Sequence, residues 1–342
     1  MNLPSSMQAI GFTQSLAIEQ QDSLFEFTTA LPNPSDLELQ VKVHAVAMNP
    51  VDAKVRVRAA ANTTLEQARI LGYDAVGTVT QLGNLVKGFQ LGDRVYYAGD
   101  VTKAGSNAEY QTVDYRLVAQ APKSLSNAAA AVLPLTTLTA WEALFDRLRI
   151  RPEEKKTLLI IGGAGGVGSM TIQLAKQLTN LTVIATASRP ETELWAKKMG
   201  ADHVANHRDL VQSVKDLGFD TVDYIFNTAD TLGHWDATAE LIAPQGWIAS
   251  IVEFDGGVDL SKLQGKSVGF VWELMFTRSL FHTDDMTKQQ DILFQVANLI
   301  DAGRLQTTLT DTINGFGVEQ IKEGHRRMES GKSIGKTAID FG

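Results

Sequence analysis

The 342-residue sequence contains no cysteine, and this absence excludes several kinds of site. Disulfides, iron–sulfur clusters, thiolate zinc sites and cysteine nucleophiles all require the missing thiol group. The absence of cysteine therefore restricts the kinds of metal site and catalytic nucleophile that the chain can form.

The sequence also lacks clustered positive charge and long apolar runs. It has 31 Lys and Arg against 39 Asp and Glu, a net charge of −8, and its basic clusters are as short as Lys54–Arg58. Nucleic acid and anionic lipid both require clustered cations, so neither is expected as a partner. No segment reaches the roughly 18 apolar residues of a membrane span, and Met1–Phe12 has neither the basic leader nor the apolar core of a signal peptide. We expect a cytoplasmic protein.

The composition is that of a folded chain of about two domains. Apolar residues make up 44% of the sequence and charged residues only 20%, which is too apolar and too weakly charged for disorder. At about 150 residues per domain, the length allows two hydrophobic cores.

The first third of the chain is rich in predicted strands. Apolar and polar residues alternate strictly over Leu37–Ala45, the period of a half-buried antiparallel strand. Glycine and aspartate turns separate further short candidates, which are Ala75–Leu82, Asp93–Tyr97, Ala108–Thr112 and Arg116–Ala119. This region is predicted to be a small barrel or sandwich.

The middle of the chain alternates strands with helices of about ten residues, which predicts βαβ units and a parallel sheet covered on both faces. The predicted strands are Thr157–Ile161, Leu181–Ala187, His203–Ala205, Thr221–Phe226, Gly246–Ile251 and Ser267–Met275. After two more helices the chain ends in a strand near Lys336–Phe341, which is predicted to return to the first domain because a lone strand must pair.

The strongest motif is the glycine-rich run Gly163–Gly168, directly after a strand and directly before a helix. Glycines there permit a tight turn and a close backbone approach to a pyrophosphate, and the helix N-terminus supplies amide groups. We therefore predict dinucleotide binding by Gly163, Gly165, Gly166, Val167 and Gly168. A merely structural glycine turn is the alternative.

The end of the second strand favours NADPH over NADH. An NAD site usually has an acidic residue about 20 positions beyond the glycines, but this chain has Ser188 followed by Arg189. A serine hydroxyl and a guanidinium can bind a 2′-phosphate that a carboxylate would repel. Arg189 as an exposed residue at a helix start is the alternative.

Five motifs follow one another along almost the whole chain, and they are Ala47–Lys54, Leu71–Gly77, Gly92–Val95, Leu133–Thr136 and Ile160–Gly168. Together they resemble the medium-chain dehydrogenase/reductase superfamily, in particular its zinc-lacking quinone oxidoreductases and zinc-type alcohol dehydrogenase-like proteins. The resemblance implies an α/β chain with a GroES-like, β-rich substrate domain over residues 1–128. It further implies a doubly wound Rossmann domain over 129–279 and a return to the first domain over 280–342.

The chain departs from the zinc alcohol dehydrogenases at their metal ligands. Their first cysteine ligand falls near Met48–Asn49, and their Gly-His-Glu motif becomes Gly72-Tyr73-Asp74. Without a Lewis acid, alcohol oxidation loses the device that lowers the pKa of a bound alcohol. We therefore predict no metal, and hydride transfer to acceptors that require little activation.

The residues nearest the positions of the missing zinc ligands are candidates to orient a substrate carbonyl. They are Asn49 and Tyr73. Asn49 could instead be a turn residue before Pro50, and Tyr73 could be a wall of the pocket. Asp52 and Lys54 are weaker candidates that could form a surface pair.

Further candidates come from positions that the resemblance and the sheet indicate. His207 is expected beside the adenosine phosphate or in a solvated loop. Asn227, Ser250 and Ile251 end two strands on the expected nicotinamide side, because ligands bind at the carboxyl ends of such sheets. Arg278 is expected to border the substrate or a cofactor phosphate.

These observations predict an NADPH-dependent reductase of quinones or α,β-unsaturated carbonyls. The resemblance also implies a homodimer that pairs through Ser267–Met275, with a buried edge inside one subunit as the alternative. Two other functions stay open. One is a non-enzymatic NADPH-binding protein, such as a sensor or a crystallin-like protein, and the other is a zinc-type alcohol dehydrogenase.

Overall fold

The structure is a computed structural model that describes residues 3–342. The segment Met1–Phe12 was expected not to be a signal peptide, and its first two residues, Met1 and Asn2, lie outside the described residues. Two compact units divide the chain. One unit ends at Leu135 and resumes at Phe276, and the other comprises Thr136–Met275. The predicted boundaries at 128/129 and 279/280 differ from these by a few residues.

The first unit contains two sheets. A three-stranded sheet has the order β2-β1-β4, and a larger sheet has the order β15-β16-β3-β5-β6-β8, with β7 also pairing with β3. The strands are β1 (Ser6–Phe12), β2 (Phe25–Ala30), β3 (Glu38–Ala47), β4 (Arg69–Ile70), β5 (Asp74–Leu82), β6 (Arg94–Tyr97), β7 (Tyr110–Asp114), β8 (Val118–Gln120), β15 (Leu309–Asn314) and β16 (Lys336–Asp340). The alternation over Leu37–Ala45 thus corresponds to the central strand β3.

Strand β3 shows how the sequence pattern specifies burial. Its apolar residues Leu39, Val41 and Val43 are buried, whereas Lys42 is exposed. Gln40 is buried as well, and both polar atoms of its side chain are hydrogen-bonded. Its Nε2 donates to the carbonyl of Pro32, and its Oε1 accepts from the Thr80 hydroxyl. A buried polar side chain is tolerated when its hydrogen bonds are made.

The chain returns to the first unit after Met275, as the sequence predicted. Strand β16 pairs antiparallel with β3, with Ile339 opposite Val46, and β15 pairs in parallel with β16. The helices of this unit include α1 (Pro50–Ala59), α2 (Asn127–Ala131), α9 (Thr277–Leu280), α10 (Lys288–Asp301) and α11 (Val318–Glu329).

The second unit is built on one six-stranded parallel sheet of order β11-β10-β9-β12-β13-β14. Its strands are β9 (Thr157–Ile161), β10 (Thr182–Thr186), β11 (His203–Ala205), β12 (Val222–Asn227), β13 (Ile242–Ser250) and β14 (Gly269–Trp272). The order reverses between β9 and β12, which makes the sheet doubly wound. The sheet confirms the predicted fold class.

Helices connect these strands. They are α4 (Gly166–Leu178), α5 (Pro190–Lys198), α6 (Leu210–Asp216), α7 (Trp235–Leu241) and α8 (Ser261–Gln264). Ahead of β9, helix α3 (Pro134–Trp141) continues into a π-helical segment, Glu142–Arg147. A helical stretch over Asn127–Arg147 is long and apolar enough to cross a membrane by length and composition, but 89% of its most apolar window is buried inside the protein. Such burial is that of a core helix.

Candidate functional site

The turn between β9 and α4 requires glycine at three positions for the protein's own packing. A Cβ at Gly163 would lie 2.7 Å from the Cβ of Ala185 on β10. Gly162 has a φ of +92°, and a Cβ there would lie 2.5 Å from the Thr228 hydroxyl oxygen. A Cβ at Gly168 would lie 2.2 Å from the carbonyl oxygen of Gly162. A tight turn and the close contacts of the turn with α4 and β10 therefore account for these three glycines. Gly162 directly precedes the motif but was not among the predicted cofactor-binding residues.

Gly165 is different, because nothing in the protein fills the space beside it. The nearest atom to a Cβ at Gly165 is the Gly162 carbonyl oxygen at 3.7 Å. Gly165 is the N-cap of α4 and makes no side-chain cap, and the first turn of α4 carries no acidic residue. Gly166 and Val167 begin that turn, so the amides and the positive dipole end of a 13-residue helix lie beside an open backbone. This arrangement fits a pyrophosphate group.

The end of β10 carries the pair predicted to select the cofactor. Ser188 is half-buried, and Arg189 is the N-cap residue of α5, with its Nε 3.2 Å from a carboxylate oxygen of Glu191. The Arg189 side chain is 37% exposed. A solvated ion pair of this kind contributes little, so the guanidinium could be redirected to a phosphate at small cost.

His207 follows β11 and is half-buried, with its ring centroid 6.2 Å from that of His234. Burial lowers the pKa of His207, and His234 lowers it further. A neutral imidazole is thereby favoured, which suits stacking or hydrogen bonding more than an ion pair with phosphate.

Asn227 and Ser250 lie at the carboxyl ends of β12 and β13, as predicted, but their side chains serve the protein. The Asn227 carbonyl oxygen accepts from the amides of Ala229 and Asp230, and its amide donates to the Asp230 carbonyl. The Ser250 hydroxyl lies 2.5 Å from that of Thr231. Ile251 is half-buried beyond the strand. These residues shape the edge of the sheet where ligands bind in such folds.

A buried polar cluster lies in the first unit, at the positions where zinc alcohol dehydrogenases were expected to hold their metal. The Lys336 ammonium, from β16, is 2.5 Å from the Asn49 carbonyl oxygen, 2.5 Å from the Met48 carbonyl oxygen and 3.4 Å from a carboxylate oxygen of Asp74. The Asn49 amide donates to the same Asp74 oxygen at 2.9 Å. Asn49, Asp74 and Lys336 are 1%, 0% and 6% exposed.

These contacts change the expected role of Asn49. Both polar atoms of its side chain are bonded inside the protein, and Asn49 is also the N-cap of α1, in a capping box with Asp52. We therefore revise its role from orienting a substrate carbonyl to positioning Lys336. The alternative interpretation, a turn residue before Pro50, describes its backbone correctly.

Asp52 is a buried residue, so the expectation of a surface pair with Lys54 is wrong. Its carboxylate accepts from the amides of Asn49 and Gly72 at 2.9 and 3.0 Å. Burial raises the pKa of Asp52 to about 6. Burial likewise raises the pKa of Asp74, against the opposing effect of Lys336, and it lowers the pKa of Lys336.

Tyr73 lies in the same unit and is 1% exposed, with its ring edge-on to Phe276 at a centroid distance of 5.4 Å. The nearby Arg69 guanidinium opposes the effect of burial on the pKa of Tyr73. Burial raises the pKa of Tyr73, and Asp52 raises it further. The phenol is therefore neutral near pH 7 and retains a proton that it can donate.

Arg278 was expected to border a substrate or cofactor phosphate, but the structure buries it at 4% exposure. Its Nε and Nη2 lie 3.1 and 3.0 Å from one carboxylate oxygen of Asp285. The Thr283 hydroxyl, together with Arg278, lowers the pKa of Asp285 to about 2. We therefore correct the role of Arg278 to that of a structural ion pair.

The donor set in the first unit does not fit a zinc ion. The chain contains no cysteine, a tyrosine stands where the histidine ligand would be, and Asp74 is neutralised by Lys336. Within residues 3–342, no group of three or more His, Asp or Glu side chains could hold a metal ion. Zinc sites in proteins require such groups of nitrogen, sulfur and oxygen ligands.

Lys336, the cation of this cluster, was not among the predicted site residues. A weak signal was present: the period of two places Lys336 on the same face of the last strand as the buried Ala338, and a lysine on an inward face requires a buried partner. The partner itself could not be identified, because Asn49 and Asp74 precede Lys336 by 287 and 262 residues.

Comparison with known proteins agrees with this architecture. Residues 35–123 match the alcohol dehydrogenase GroES-like domain, and residues 199–339 match the zinc-binding dehydrogenase domain. A zinc-type alcohol dehydrogenase-like protein of Staphylococcus epidermidis is 44% identical over 98% of this chain and 100% of its own length. A solved structure from Rhizobium etli CFN 42, described as a zinc-dependent alcohol dehydrogenase, is 43% identical, with a TM-score of 0.93 and 98% of each chain covered.

Two less similar relatives carry more specific names. The 2-methylene-furan-3-one reductase of Solanum lycopersicum is 30% identical over 99% of this chain and 80% of its own length. The NADPH-dependent alkenal/one oxidoreductase of Arabidopsis thaliana is 31% identical over 92% of this chain and 75% of its own length.

The two-unit fold, with its dinucleotide-type turn, defines an oxidoreductase that uses a nicotinamide cofactor. The chain belongs to the medium-chain dehydrogenase/reductase superfamily.

Proposed function

We propose that this protein is a cytoplasmic NADPH-dependent reductase that transfers a hydride to quinones or α,β-unsaturated carbonyls without a metal. The observation that carries the proposal is the cluster of Asn49, Asp74 and Lys336, in which an ammonium group neutralises the buried carboxylate. The zinc alcohol dehydrogenases that the sequence resembles hold their metal near these positions. The names of the tomato and Arabidopsis relatives support the acceptor class.

The cofactor would be held by residues of the second unit. The amides at the start of α4, beside Gly165 and Gly166, suit the pyrophosphate, and Ser188 with Arg189 suits a 2′-phosphate. Bound NADPH would supply the hydride. Asn227, Ser250 and Ile251 would form the strand ends on the nicotinamide side.

The acceptor class follows from what the protein lacks and what it supplies. Hydride addition to a quinone or enone gives a delocalised phenolate or enolate, which hydrogen-bond donors can stabilise without a Lewis acid. Tyr73 supplies a neutral hydroxyl, because burial raises its pKa. Asn49 and Asp74 hold Lys336 in place, and the pairing of Lys336 with Asp74 leaves this cluster neutral without a metal ion.

The direct test is an NADPH oxidation assay with a simple ortho-quinone and an alkenal, with NADH as the comparison cofactor. We expect oxidation with both acceptors and a preference for NADPH. NADPH binding without oxidation of any acceptor would refute the reductase and favour a sensor or crystallin-like protein. Stoichiometric metal together with alcohol-dependent cofactor reduction would favour the zinc-type dehydrogenase that the names of the Staphylococcus epidermidis and Rhizobium etli proteins suggest.

The cofactor preference has its own test in Arg189→Ala. Loss of the guanidinium should weaken NADPH binding by about tenfold or more and leave NADH binding nearly unchanged, since a charged hydrogen bond is worth roughly 1.5–3 kcal/mol. Lys215→Ala is the control, because Lys215 is an exposed cation of the same unit paired with Glu240. Equal losses for both cofactors would contradict a 2′-phosphate contact.

We also propose a homodimer that extends the parallel sheet. In the described part of the chain, β14 pairs with β13 on one side only. Trp272 on β14 is 47% exposed and Trp247 on β13 is 39% exposed. An apolar edge strand of this kind is normally covered by a partner. Light scattering should give the mass of a dimer, and Trp272→Lys should give that of a monomer; a monomeric wild type would refute the assignment.

A further inference from the structure

Two buried carboxyl groups meet in the second unit, and neither belongs to the predicted cofactor site or to the cluster around Lys336. Glu142 belongs to the π-helical segment Glu142–Arg147 and is 0% exposed, and Glu273 directly follows β14 and is 3% exposed. Both carboxyl oxygens of Glu273 are buried and accept no hydrogen bond from a described residue, and Glu142 lies close enough for its charge to act on Glu273. Arg147 lies beside both, with Nε 2.8 Å from a Glu273 oxygen and Nη2 3.8 Å from a Glu142 oxygen.

The charges around this pair do not balance unless one proton is retained. Glu142 and Arg147, both from the π-helical segment, are the charged groups that act on Glu273, and strands β13 and β14 carry no charged residue. Two ionised carboxylates in contact, shielded from water, repel strongly, and a single guanidinium neutralises only one of them. Burial and the charge of Glu142 accordingly raise the pKa of Glu273 to about 8.

The pair is attached to the edge of the sheet where ligands bind in folds of this type. The backbone amide of Glu273 donates to the carbonyl of Ser250 at 2.9 Å, so Glu273 ties the end of β14 to the end of β13. Parallel α/β sheets bind their ligands outside the carboxyl ends of the strands. π-helical turns are rare and frequent at functional sites, and here such a turn carries both Glu142 and Arg147.

We propose that Glu142 and Glu273 share one proton, and that the pair positions the carboxyl ends of β13 and β14 for the dinucleotide, so that cofactor binding requires this proton. The inference rests on the proposed function. Glu273 is a positioning residue that acts through Ser250. Loss of the proton separates the two carboxylates and leaves an extra negative charge in the unit that binds an anionic cofactor.

The shared proton can be measured on the protein alone. Infrared spectroscopy detects the C=O stretch of a protonated carboxyl group, and we expect a band at neutral pH that disappears on titration through about pH 8. Glu273→Gln should abolish this band. Glu142→Gln should abolish it as well, because Glu273 would then form a one-to-one ion pair with Arg147 and ionise. A wild type without the band, or a band that persists in both variants, overturns the shared proton.

The positioning role is tested by NADPH titration of wild type and Glu273→Gln between about pH 6 and about pH 10. For one linked proton, wild-type affinity should fall by up to about tenfold per pH unit above the titration of the pair. Glu273→Gln keeps a neutral, hydrogen-bonding side chain, so its affinity should stay nearly constant over the same range. Glu240→Gln, an exposed carboxylate paired with Lys215, is the control and should follow the wild type.

The outcomes separate this inference from the proposed function. If wild type and Glu273→Gln bind NADPH with the same pH dependence, the positioning role is refuted and the reductase stands. If the wild type fails to bind NADPH at every pH, the proposed function fails and the positioning role with it, while the infrared titration still decides the shared proton.

Discussion

Tyr73 differs from the other residues at the positions of the missing zinc ligands because its hydroxyl is an uncharged hydrogen-bond donor. Removing only that hydroxyl, in Tyr73→Phe, keeps the ring packed against Phe276. Loss of one donor to a developing oxyanion costs roughly 10²–10³-fold in kcat, and we expect a fall of that order for an alkenal. Steady-state kinetics with NADPH measure it. Unchanged kcat would make Tyr73 a wall of the pocket, the alternative that the sequence left open.

Lys336 stabilises the first unit because it neutralises Asp74. In Lys336→Met the carboxylate of Asp74 would remain buried without its cation, and removing one partner of a buried pair costs roughly 3–5 kcal/mol. Urea unfolding should show this loss, whereas Lys332→Met, at an exposed position, should change stability by less than about 0.5 kcal/mol.

The double variant Lys336→Met with Asp74→Asn tests the electrostatic origin of that loss. Removing the carboxylate charge should recover part of the stability, because the buried charge without a partner causes the cost. If the double variant is no more stable than Lys336→Met, lost packing of the lysine stem is the cause.

At the scale of elements, the turn between β9 and α4 contains glycines that the packing of the protein requires and one, Gly165, that we expect a ligand to require. A Cβ at Gly168 would meet a backbone oxygen at 2.2 Å, but at Gly165 the nearest atom is 3.7 Å away. Gly168→Ala should destabilise the protein by roughly 1–3 kcal/mol through overpacking.

Gly165→Ala should instead leave unfolding nearly unchanged and weaken NADPH binding by about tenfold or more, because the methyl group occupies space open to the pyrophosphate. Parallel urea unfolding and cofactor titrations compare the two variants. If Gly165→Ala binds NADPH as the wild type does, the open space beside Gly165 has another purpose.

Elements with strong local signals were predictable, and those defined by distant partners were not. Helix α5 begins at Pro190 as predicted, because proline at the first helical position is a local signal. Strand β1 was not predicted, since its partners Phe25–Ala30 and Arg69–Ile70 lie elsewhere in the chain. The π-helical segment Glu142–Arg147 also escaped prediction, because no local pattern distinguishes it from the helix that it continues.

At the scale of the whole molecule, buried carboxyl groups determine how stability changes with pH. Burial raises the pKa of Asp52 from 3.8 to about 6 and that of Glu273 from 4.5 to about 8. Between the two values of each group, the folded protein holds a proton that the unfolded chain has released. Stability therefore falls as pH rises through these windows.

Comparison of the wild type with Glu273→Gln between pH 6.5 and about 8 isolates the contribution of Glu273, because Asp74 and Lys336, whose pKa values burial also shifts, are the same in both proteins. His44 and His207, whose pKa values are lowered, affect stability only below their ordinary value of 6.5, and Asp52 is ionised in both states above about 6. Wild-type unfolding free energy should decline across this window by as much as about 1.4 kcal/mol per pH unit. Glu273→Gln should lose this contribution in urea unfolding without cofactor, and equal slopes in the two proteins would mean that another group retains the proton.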